Sequence, residues 1–162
     1  MLEVATLENH PFLSDSASKE AGRELQGMLV ELLDLSLLGK QLHWCVVGTL
    51  FRPQHLMLDE LVEEWRDLAD TVAERAVAIG VWPDGQARAI VSQSKLEPMN
   101  AGPIRDELVV EALAGRLEQV VVNSRRRLDA LEHDLPSQDV IVEVLRALEK
   151  QLWMVRAQAV AS

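Results

Sequence analysis

Five side chains that can bind a metal ion lie between residues 43 and 74: His43, His55, Asp59, Asp70 and Glu74. His55 and Asp59 are four residues apart, as are Asp70 and Glu74, so each pair shares one face of a helix. The 11 residues from Asp59 to Asp70 turn a helix by about 1100°, three full turns plus about 20°, so both pairs follow one stripe. Imidazole combined with carboxylate suits iron, zinc, manganese or nickel.

The rise of a helix prevents one chain from completing such a site. Asp59 and Asp70 are separated by about 16.5 Å along the helix axis, too far for a single ion to bridge. A two-fold axis across the middle of this helix would place His55 and Asp59 of one subunit against Asp70 and Glu74 of its antiparallel partner. The spacing therefore predicts a metal site between subunits and an obligate dimer at least.

Two other interpretations of these residues stay open. Each pair taken alone is typical of a solvated helix surface. A stripe of this kind could also mediate dimerisation without any catalytic activity. A di-iron site inside one bundle is excluded, because such sites use Glu-x-x-His motifs. Residues 7, 40, 52 and 130, three before each histidine, are Leu, Lys, Arg and Ala.

Helical periodicity and sparse helix breakers indicate an all-α fold. Leucines recur at three- and four-residue steps along the first long segment, and Gly48, Gly80 and Pro136 mark interruptions. We expect Pro53 in the first turn of the second helix and Ser137 as the N-cap of the last. The long helices are predicted over residues 18–47, 53–79, 104–133 and 138–160, with a short helix over 86–92.

The order of these elements predicts one bundle. Short connections join the first helix to the second and the third to the fourth, whereas the connection between the second and third is long and contains the short helix. This is the layout of a ferritin-like four-helix bundle with one crossover. We therefore predict a single domain over residues 18–160, preceded by an N-terminal arm over residues 1–17.

Composition and charge limit the classes of function. The 162 residues are 48% hydrophobic but only 4% aromatic, so leucine, valine and alanine must fill the core. The net charge of −10 disfavours contact with DNA phosphates and favours attraction of cations. A single cysteine, the lack of a signal-peptide pattern at residues 1–15 and the lack of a long apolar run predict a cytoplasmic protein without membrane contact.

The central motif resembles that of the Dps family, the small ferritin-like proteins of starved bacterial cells. The family pattern is close to H-W-N-V-x-G-x-x-F-x-x-x-H-x-x-x-D-E followed by D-x-x-A-E-R. This chain has LHWCVVGTLFRPQHLMLDE and then DLADTVAERAVAIGVWPDG, with every histidine and carboxylate of the pattern in place. The segment SQDVIVEVLRALEKQLWMVRAQ is similar to the last helix of the family, so the resemblance extends over residues 18–158.

The resemblance implies a function and an assembly. Dps-like proteins form hollow dodecamers, oxidise Fe(II) to Fe(III) with hydrogen peroxide or dioxygen between two-fold-related subunits, and store the ferric mineral inside. By this resemblance Asp59 and Glu74 are the main anionic iron ligands, from opposite subunits. His43, His55 and Asp70 complete the shell or bind a second, weaker iron.

The residues after His43 have two interpretations each. Trp44, next to the site, is either an electron donor that removes a stray oxidising equivalent or a large core side chain. Cys45 stands where the family pattern has asparagine, and is either an oxidisable thiol or a small buried filler.

DNA binding and physical compaction of DNA form the alternative function. Many family members bind DNA through a lysine-rich tail, but this chain has no Lys or Arg before Lys19, and a dodecamer would carry about −120. The only basic run, at residues 125–127, is predicted to be a paired, solvated face beside Glu118, Asp129 and Glu132. We expect DNA binding to be weak or absent.

Two further groups of residues could meet metal ions. Asp134 and Asp139 near the start of the last helix could line an acidic three-fold pore through which iron enters, or could stabilise the helix N-terminus. His10 in the arm could join a secondary metal site, although we expect it to have no such role.

Overall fold

The protein is a bundle of four long helices, seen in a computed structural model that describes residues 12–159. Within these residues the helices are α1 (Asp15–Cys45), α2 (Phe51–Ala78), α3 (Ala87–Gln93), α4 (Asp106–Ala130) and α5 (Leu135–Arg156). A 3₁₀ turn, Ala157–Ala159, follows α5. The predicted bundle, with a short helix in the long connection between the second and third long helices, is confirmed.

The first helix begins three residues earlier than periodicity predicted. Ser14 is the N-cap, and its Oγ accepts a hydrogen bond from the backbone N–H of Ala17 at 3.3 Å. Asp15 supplies negative charge in the first turn, where it is favoured by the exposed N–H groups. The arm therefore passes into the helix before residue 18, and residues 1–11 lie outside the described part of the chain.

The second helix begins and ends close to the positions predicted from Pro53 and Gly80. Pro53 lies in the first turn of α2, and Gly80 follows its C-terminus with φ 79°, the left-handed conformation that glycine adopts without strain. Because α2 runs unbroken for 28 residues, its side chains keep the spacing of a regular helix over its whole length.

A two-stranded parallel β-sheet joins the two halves of the bundle, and no pattern in the sequence predicted it. Strand β1 (Val46–Val47) follows α1 directly and pairs with β2 (Ile104–Arg105), which precedes α4. As a result α1 and α4 are each two residues shorter at this end than predicted. Two-residue strands are too short to produce an alternating pattern, so only the contact between distant segments defines them.

The start of α5 differs from the prediction. Asp134, not Ser137, is the N-cap residue, and Pro136 lies inside the first turn rather than interrupting the chain. Proline is well tolerated in a first helical turn because the N–H that it lacks would have no partner there. Ser137 is instead buried, and its Oγ donates to Asp134 Oδ2.

The core is built of aliphatic residues around one tryptophan. Trp65 of α2 is fully buried, and its Nε1–H donates to Gln151 Oε1 on α5 at 2.8 Å. The backbone of α1 approaches α2 closely at Gly39, where an added Cβ would lie 2.6 Å from Val62 Cγ2 and 2.7 Å from Trp65 Cζ3. None of the helices in the described residues is both long and apolar enough to cross a membrane.

We expect Gly39→Ala to destabilise the bundle, because the new methyl group overlaps side chains that are themselves tightly packed. Overpacking of this kind costs about 1–3 kcal/mol. Gly115→Ala is the matched control, since its Cβ would meet nothing within 4 Å and alanine is the better helix former. Thermal unfolding should show a lower Tm for Gly39→Ala and an equal or higher Tm for Gly115→Ala. Equal Tm values for Gly39→Ala and the unaltered protein would contradict the close packing at Gly39.

Candidate metal centre

The turn between α1 and α2 brings two histidines together. His43 lies in the last turn of α1 and His55 in the first turns of α2, and their imidazole rings stack with centroids 3.6 Å apart and an interplanar angle of 21°. Phe51 lies beside His55, with the ring centroids 5.1 Å apart and an interplanar angle of 33°. The two rings therefore form one packed unit at the end of the helical hairpin.

Reciprocal hydrogen bonds hold the two rings. His43 Nδ1 lies 2.9 Å from the backbone oxygen of His55, and His55 Nδ1 lies 2.9 Å from the backbone oxygen of His43. A carbonyl oxygen only accepts, so each Nδ1 must carry the proton and donate it. In the neutral ring the Nε2 lone pair is then available, and this is the arrangement that orients histidines as metal ligands.

Asp59 completes a group of three donors. One ligand atom from each of His43, His55 and Asp59 lies within 4.8 Å of the others, and Asp59 Oδ1 is 3.3 Å from His43 Nδ1. A hydrogen bond from Lys40 is the main reason that the pKa of the Asp59 carboxyl is below its ordinary value of 3.8. Partial desolvation opposes this shift, and the two histidines add to it. Asp59 is therefore an anion at neutral pH.

The other two predicted ligands do not join this group within the chain. Asp70 and Glu74 lie on the same helix as Asp59, and both are exposed. Since α2 is unbroken, Asp70 is about 16.5 Å from Asp59 along the axis. Three of the five predicted residues thus form a cluster at one end of α2, and two remain on its surface farther along.

A carboxylate at the first residue of α4 clamps the turn that carries the histidines. Asp106 is buried, and its Oδ2 accepts hydrogen bonds from the backbone N–H of Leu50 at 2.7 Å and from Thr49 Oγ1 at 3.4 Å. Gly48, with φ 134°, leaves the space for it, because a Cβ there would overlap the carboxylate. Sequence reasoning missed Asp106, since no local pattern relates it to a turn more than 50 residues earlier.

The residues that follow His43 differ in their surroundings. Trp44 is 68% exposed in the single chain, so the interpretation of it as a core side chain of the bundle does not hold. Cys45 is half-buried, and its Sγ accepts a hydrogen bond from Gln41 Nε2 at 3.2 Å. His10 lies outside the described residues.

The two predicted pore residues lie in unlike environments. Asp134 is buried, and both of its oxygens accept hydrogen bonds from Arg75 Nη2, at 3.1 and 2.8 Å. Burial alone would raise the pKa of Asp134, but the hydrogen bonds from Ser137 and Arg75 outweigh it and lower the pKa. Asp139 is exposed. Asp134 thus anchors the start of α5 to α2, while Asp139 is the accessible carboxylate; a pore between subunits stays a prediction.

Two arginines of the basic run at residues 125–127 are ion-paired, with partners other than those predicted, and the third contacts a neutral amide. Arg125 contacts Glu149, Arg126 contacts Asn123, and Arg127 Nη1 lies 2.8 Å from Glu31 Oε2. The Arg127 side chain is only 12% exposed, so it belongs to the packing between α4 and α1 rather than to a solvated face. The predicted partner Glu118 instead pairs with Arg156 at 2.8 Å.

Comparisons with known proteins agree on the family. Residues 23–161 match the ferritin-like domain. The chain is 35% identical over 148 residues to the DNA protection during starvation protein of Mycolicibacterium smegmatis, covering 91% of this chain and 81% of that one. It is 34% identical over 140 residues to DNA protection during starvation protein 2 of Deinococcus radiodurans, covering 86% of this chain but only 58% of that protein's length.

The likeness extends to solved structures. The tetragonal crystal form of Mycobacterium smegmatis Dps superposes on this chain with a TM-score of 0.91 at 33% identity, covering 98% of this chain and 96% of that one. A likeness over nearly the whole of both chains supports the ferritin-like bundle predicted from the order of elements.

The clamp at Asp106 predicts a pH dependence of stability. The hydrogen bond from the Leu50 N–H is the main cause that lowers the pKa of Asp106 below 3.8; burial opposes it, and Glu107 and Thr49 add to it. A lowered folded-state pKa stabilises the fold above the unfolded value, and this contribution is lost as the pH falls through the folded value. We therefore expect the stability advantage of the unaltered protein over Asp106→Asn to be full near neutral pH and to shrink below about pH 4.

Urea unfolding of both proteins at a series of pH values measures this difference. Asp129→Asn, at an exposed position of α4, controls for the general effect of removing one carboxylate. A stability difference between Asp106→Asn and the unaltered protein that stayed constant from neutral pH to about pH 3 would contradict the ionised clamp.

Proposed function

Because the chain belongs to the DNA protection during starvation (Dps) family of ferritin-like proteins, we propose that it is a ferroxidase that also stores iron. It oxidises Fe(II) to Fe(III) with hydrogen peroxide or dioxygen, keeps the ferric product inside a closed shell of its own copies, and so protects the cell from oxidative damage. Iron is the substrate and the cargo. We place this activity in the cytoplasm.

One observation supports this proposal: three of the five candidate ligands meet at one end of α2 and the other two do not. His43, His55 and Asp59 converge at one end of α2, with both histidines oriented through Nδ1, while Asp70 and Glu74 are exposed farther along the same helix. Two imidazoles and a carboxylate suit iron, but they leave coordination positions open. The carboxylates of a second copy supply what is missing.

The assembly follows from the same geometry. An antiparallel pair of α2 helices about a two-fold axis sets Asp70 and Glu74 of each subunit against the half-site of the other, so each dimer has two sites. Exposed apolar side chains around the half-site, Trp44, Phe51 and Leu56, are suited to burial in such an interface. The dimers build a homo-oligomer, and we infer a dodecamer from the family.

The protein contributes to the reaction mainly through the charge and the position of the metal ligands. Two Fe(II) ions each give one electron to hydrogen peroxide, the O–O bond breaks, and two Fe(III) ions and two hydroxide ions result. Asp59 and Glu74 carry negative charge to the metal and favour the ferric state. His55 and Asp70 hold the second, weaker ion, with His43 contributing.

Two accessory roles stay within the proposal. Trp44, next to His43, donates an electron when an oxidising equivalent escapes the site. Asp139, the accessible carboxylate of the two predicted pore residues, attracts iron to the opening of the shell, while Asp134 holds the start of α5 through its ion pair with Arg75.

DNA binding is proposed to be weak or absent in this protein. The relatives' names refer to DNA protection, but here the arginines at 125–127 contact protein side chains, and the chain carries a charge of −10. Affinity for DNA depends on cationic contacts with phosphates, so a strongly acidic shell with its arginines engaged is repelled.

A subunit-mixing experiment tests the ferroxidase site and its position together. Asp59→Ala and Glu74→Ala should each assemble but oxidise Fe(II) slowly, and the double variant should oxidise it slowest. When the two single variants are co-assembled at random, half of the dimers are mixed, and each mixed dimer contains one intact site and one doubly altered site. We expect ferric absorbance after peroxide addition to show about a quarter of the unaltered initial rate.

The outcome of mixing separates the alternatives. A site within one chain would gain nothing from mixing, because every chain would still lack one ligand. The pair Glu111→Ala with Asp129→Ala, exposed on α4, removes the same charges and should leave the rate unchanged. Unaltered rates in the Asp59→Ala, Glu74→Ala double variant, or in a protein-free blank, would reject the ferroxidase site.

A gel-shift titration tests the DNA prediction. At about 50 mM salt, where electrostatic binding is strong, we expect no retardation of linear DNA. Retardation that disappears when Arg125 and Arg126 are changed to Ala would instead support physical compaction of DNA as a second function.

A further inference from the structure

A cavity of about 650 Å³ lies between the start of α2, one face of α4 and the C-terminal segment that follows α5. Its apolar lining includes Leu50, Val110 and Ala114, and Gly115 leaves part of one wall without a side chain. None of the five candidate iron ligands lines it. The volume is typical of a site for a small organic molecule, and the function proposed above makes no use of it.

The polar lining is a stripe of separated carboxylates. Glu107, Glu111 and Glu118 follow one face of α4 at steps of four and seven residues, which correspond to rises of about 6 and 10.5 Å. These carboxylates do not converge on one metal ion, since the only group of that kind in the described part of the chain is the one at His43. Their spacing suits positive charges distributed along a chain.

The positive charge near these carboxylates does not balance them. Arg156 Nη2 lies 2.8 Å from Glu118 Oε1, and Arg105, which does not line the cavity, lies 3.6 Å from Glu107. All four side chains are more than half exposed, so these two pairs contribute little free energy. Glu111 has no hydrogen bond or ion pair with any residue that the structure describes. The lining thus contains three carboxylates for one guanidinium and attracts a cation.

A buried acceptor in the cavity wall has no donor. Gln54 lines the cavity one turn after Leu50 and is only 2% exposed. Its Nε2 donates to the backbone oxygen of Asp106 at 3.1 Å, whereas its Oε1 has no hydrogen-bond partner among residues 12–159. A buried acceptor without a donor is costly, so an N–H group that reaches it from the cavity binds favourably.

We propose that this cavity binds a linear aliphatic polyamine, a chain of methylene groups interrupted by ammonium groups. Nitrogens separated by three or four carbons are about 5–6 Å apart, close to the rise from Glu107 to Glu111, and the longer step to Glu118 spans two such linkers. The methylene groups pack on the apolar lining, as the stems of lysine side chains do on protein surfaces, and one nitrogen donates to Gln54 Oε1.

This site is separate from iron oxidation, since no candidate iron ligand takes part in it. The inference therefore does not rest on the ferroxidase proposal. It adds reversible binding of an organic polycation to the functions of the protein.

Calorimetric titration of the purified protein in its native assembly with spermidine, a trivalent polyamine, tests the site. At about 50 mM salt we expect one saturable site per chain. Glu111→Gln should weaken spermidine binding at least about tenfold, because it removes the carboxylate that has no other partner. Gly115→Leu should abolish binding, because the new side chain fills the cavity and leaves every charge in place.

Two controls separate this site from general attraction to an acidic protein. Glu143→Gln removes the same charge from an exposed position of α5 and should bind spermidine as the unaltered protein does. Hexaamminecobalt(III) is also a trication but has no methylene chain, so it should displace spermidine poorly. Equally strong displacement would overturn the proposal, because the site would then recognise charge alone.

The remaining outcomes are equally decisive. Absence of saturable binding to the assembled protein would overturn the proposal, and this includes the case in which a neighbouring copy covers the cavity. Equal affinities of the unaltered protein, Glu111→Gln and Gly115→Leu would overturn it too. Thermal unfolding checks that Gly115→Leu is folded, and if it is not, Glu111→Gln decides alone. Iron oxidation by Glu111→Gln should match that of the unaltered protein, which keeps a failure here distinct from a failure of the ferroxidase proposal.

Discussion

The rise of an unbroken α-helix is the constraint on which the rest of this structure depends. Helix α2 places Asp59 and Asp70 on one stripe but about 16.5 Å apart, so no side-chain rotation can bring them to one ion. Under the proposed function, a chain built this way cannot complete its metal site alone and needs a second copy. That proposal is consistent with the exposure of Asp70 and Glu74 in the single chain.

The half-site that does form depends on how tightly the α1–α2 hairpin is closed. Gly39 lets the two helix backbones approach, and the reciprocal hydrogen bonds between His43 and His55 join the end of one helix to the start of the other. Asp106 then ties this turn to the second half of the bundle across the long crossover. The histidines are thus oriented by backbone groups and by a buried carboxylate. This leaves the lone pair of each Nε2 available to a metal ion.

Charge is arranged differently at the two ends of α2. At the Arg75 end, Asp134 has its charge compensated inside the chain by a two-point ion pair, and the result is a firmly held start of α5. At the His43 end, Asp59 is only partly compensated by Lys40 and remains 43% exposed. A buried carboxylate that is fully paired is not available to a cation, whereas a carboxylate that stays accessible keeps its ability to bind one.

The sequence by itself determined the helices, their order and the stripe of candidate ligands. Periodicity of 3.6 residues and the chemistry of proline and glycine are local, so α2, the short helix and the identity of five candidate ligands could be predicted. The ion pair between Asp134 and Arg75, the β1–β2 ladder, the clamp from Asp106 and the approach of Lys40 to Asp59 could not, because each joins segments that are distant along the chain. Only the tertiary structure decides such contacts, since they depend on which side chains packing brings within hydrogen-bond distance.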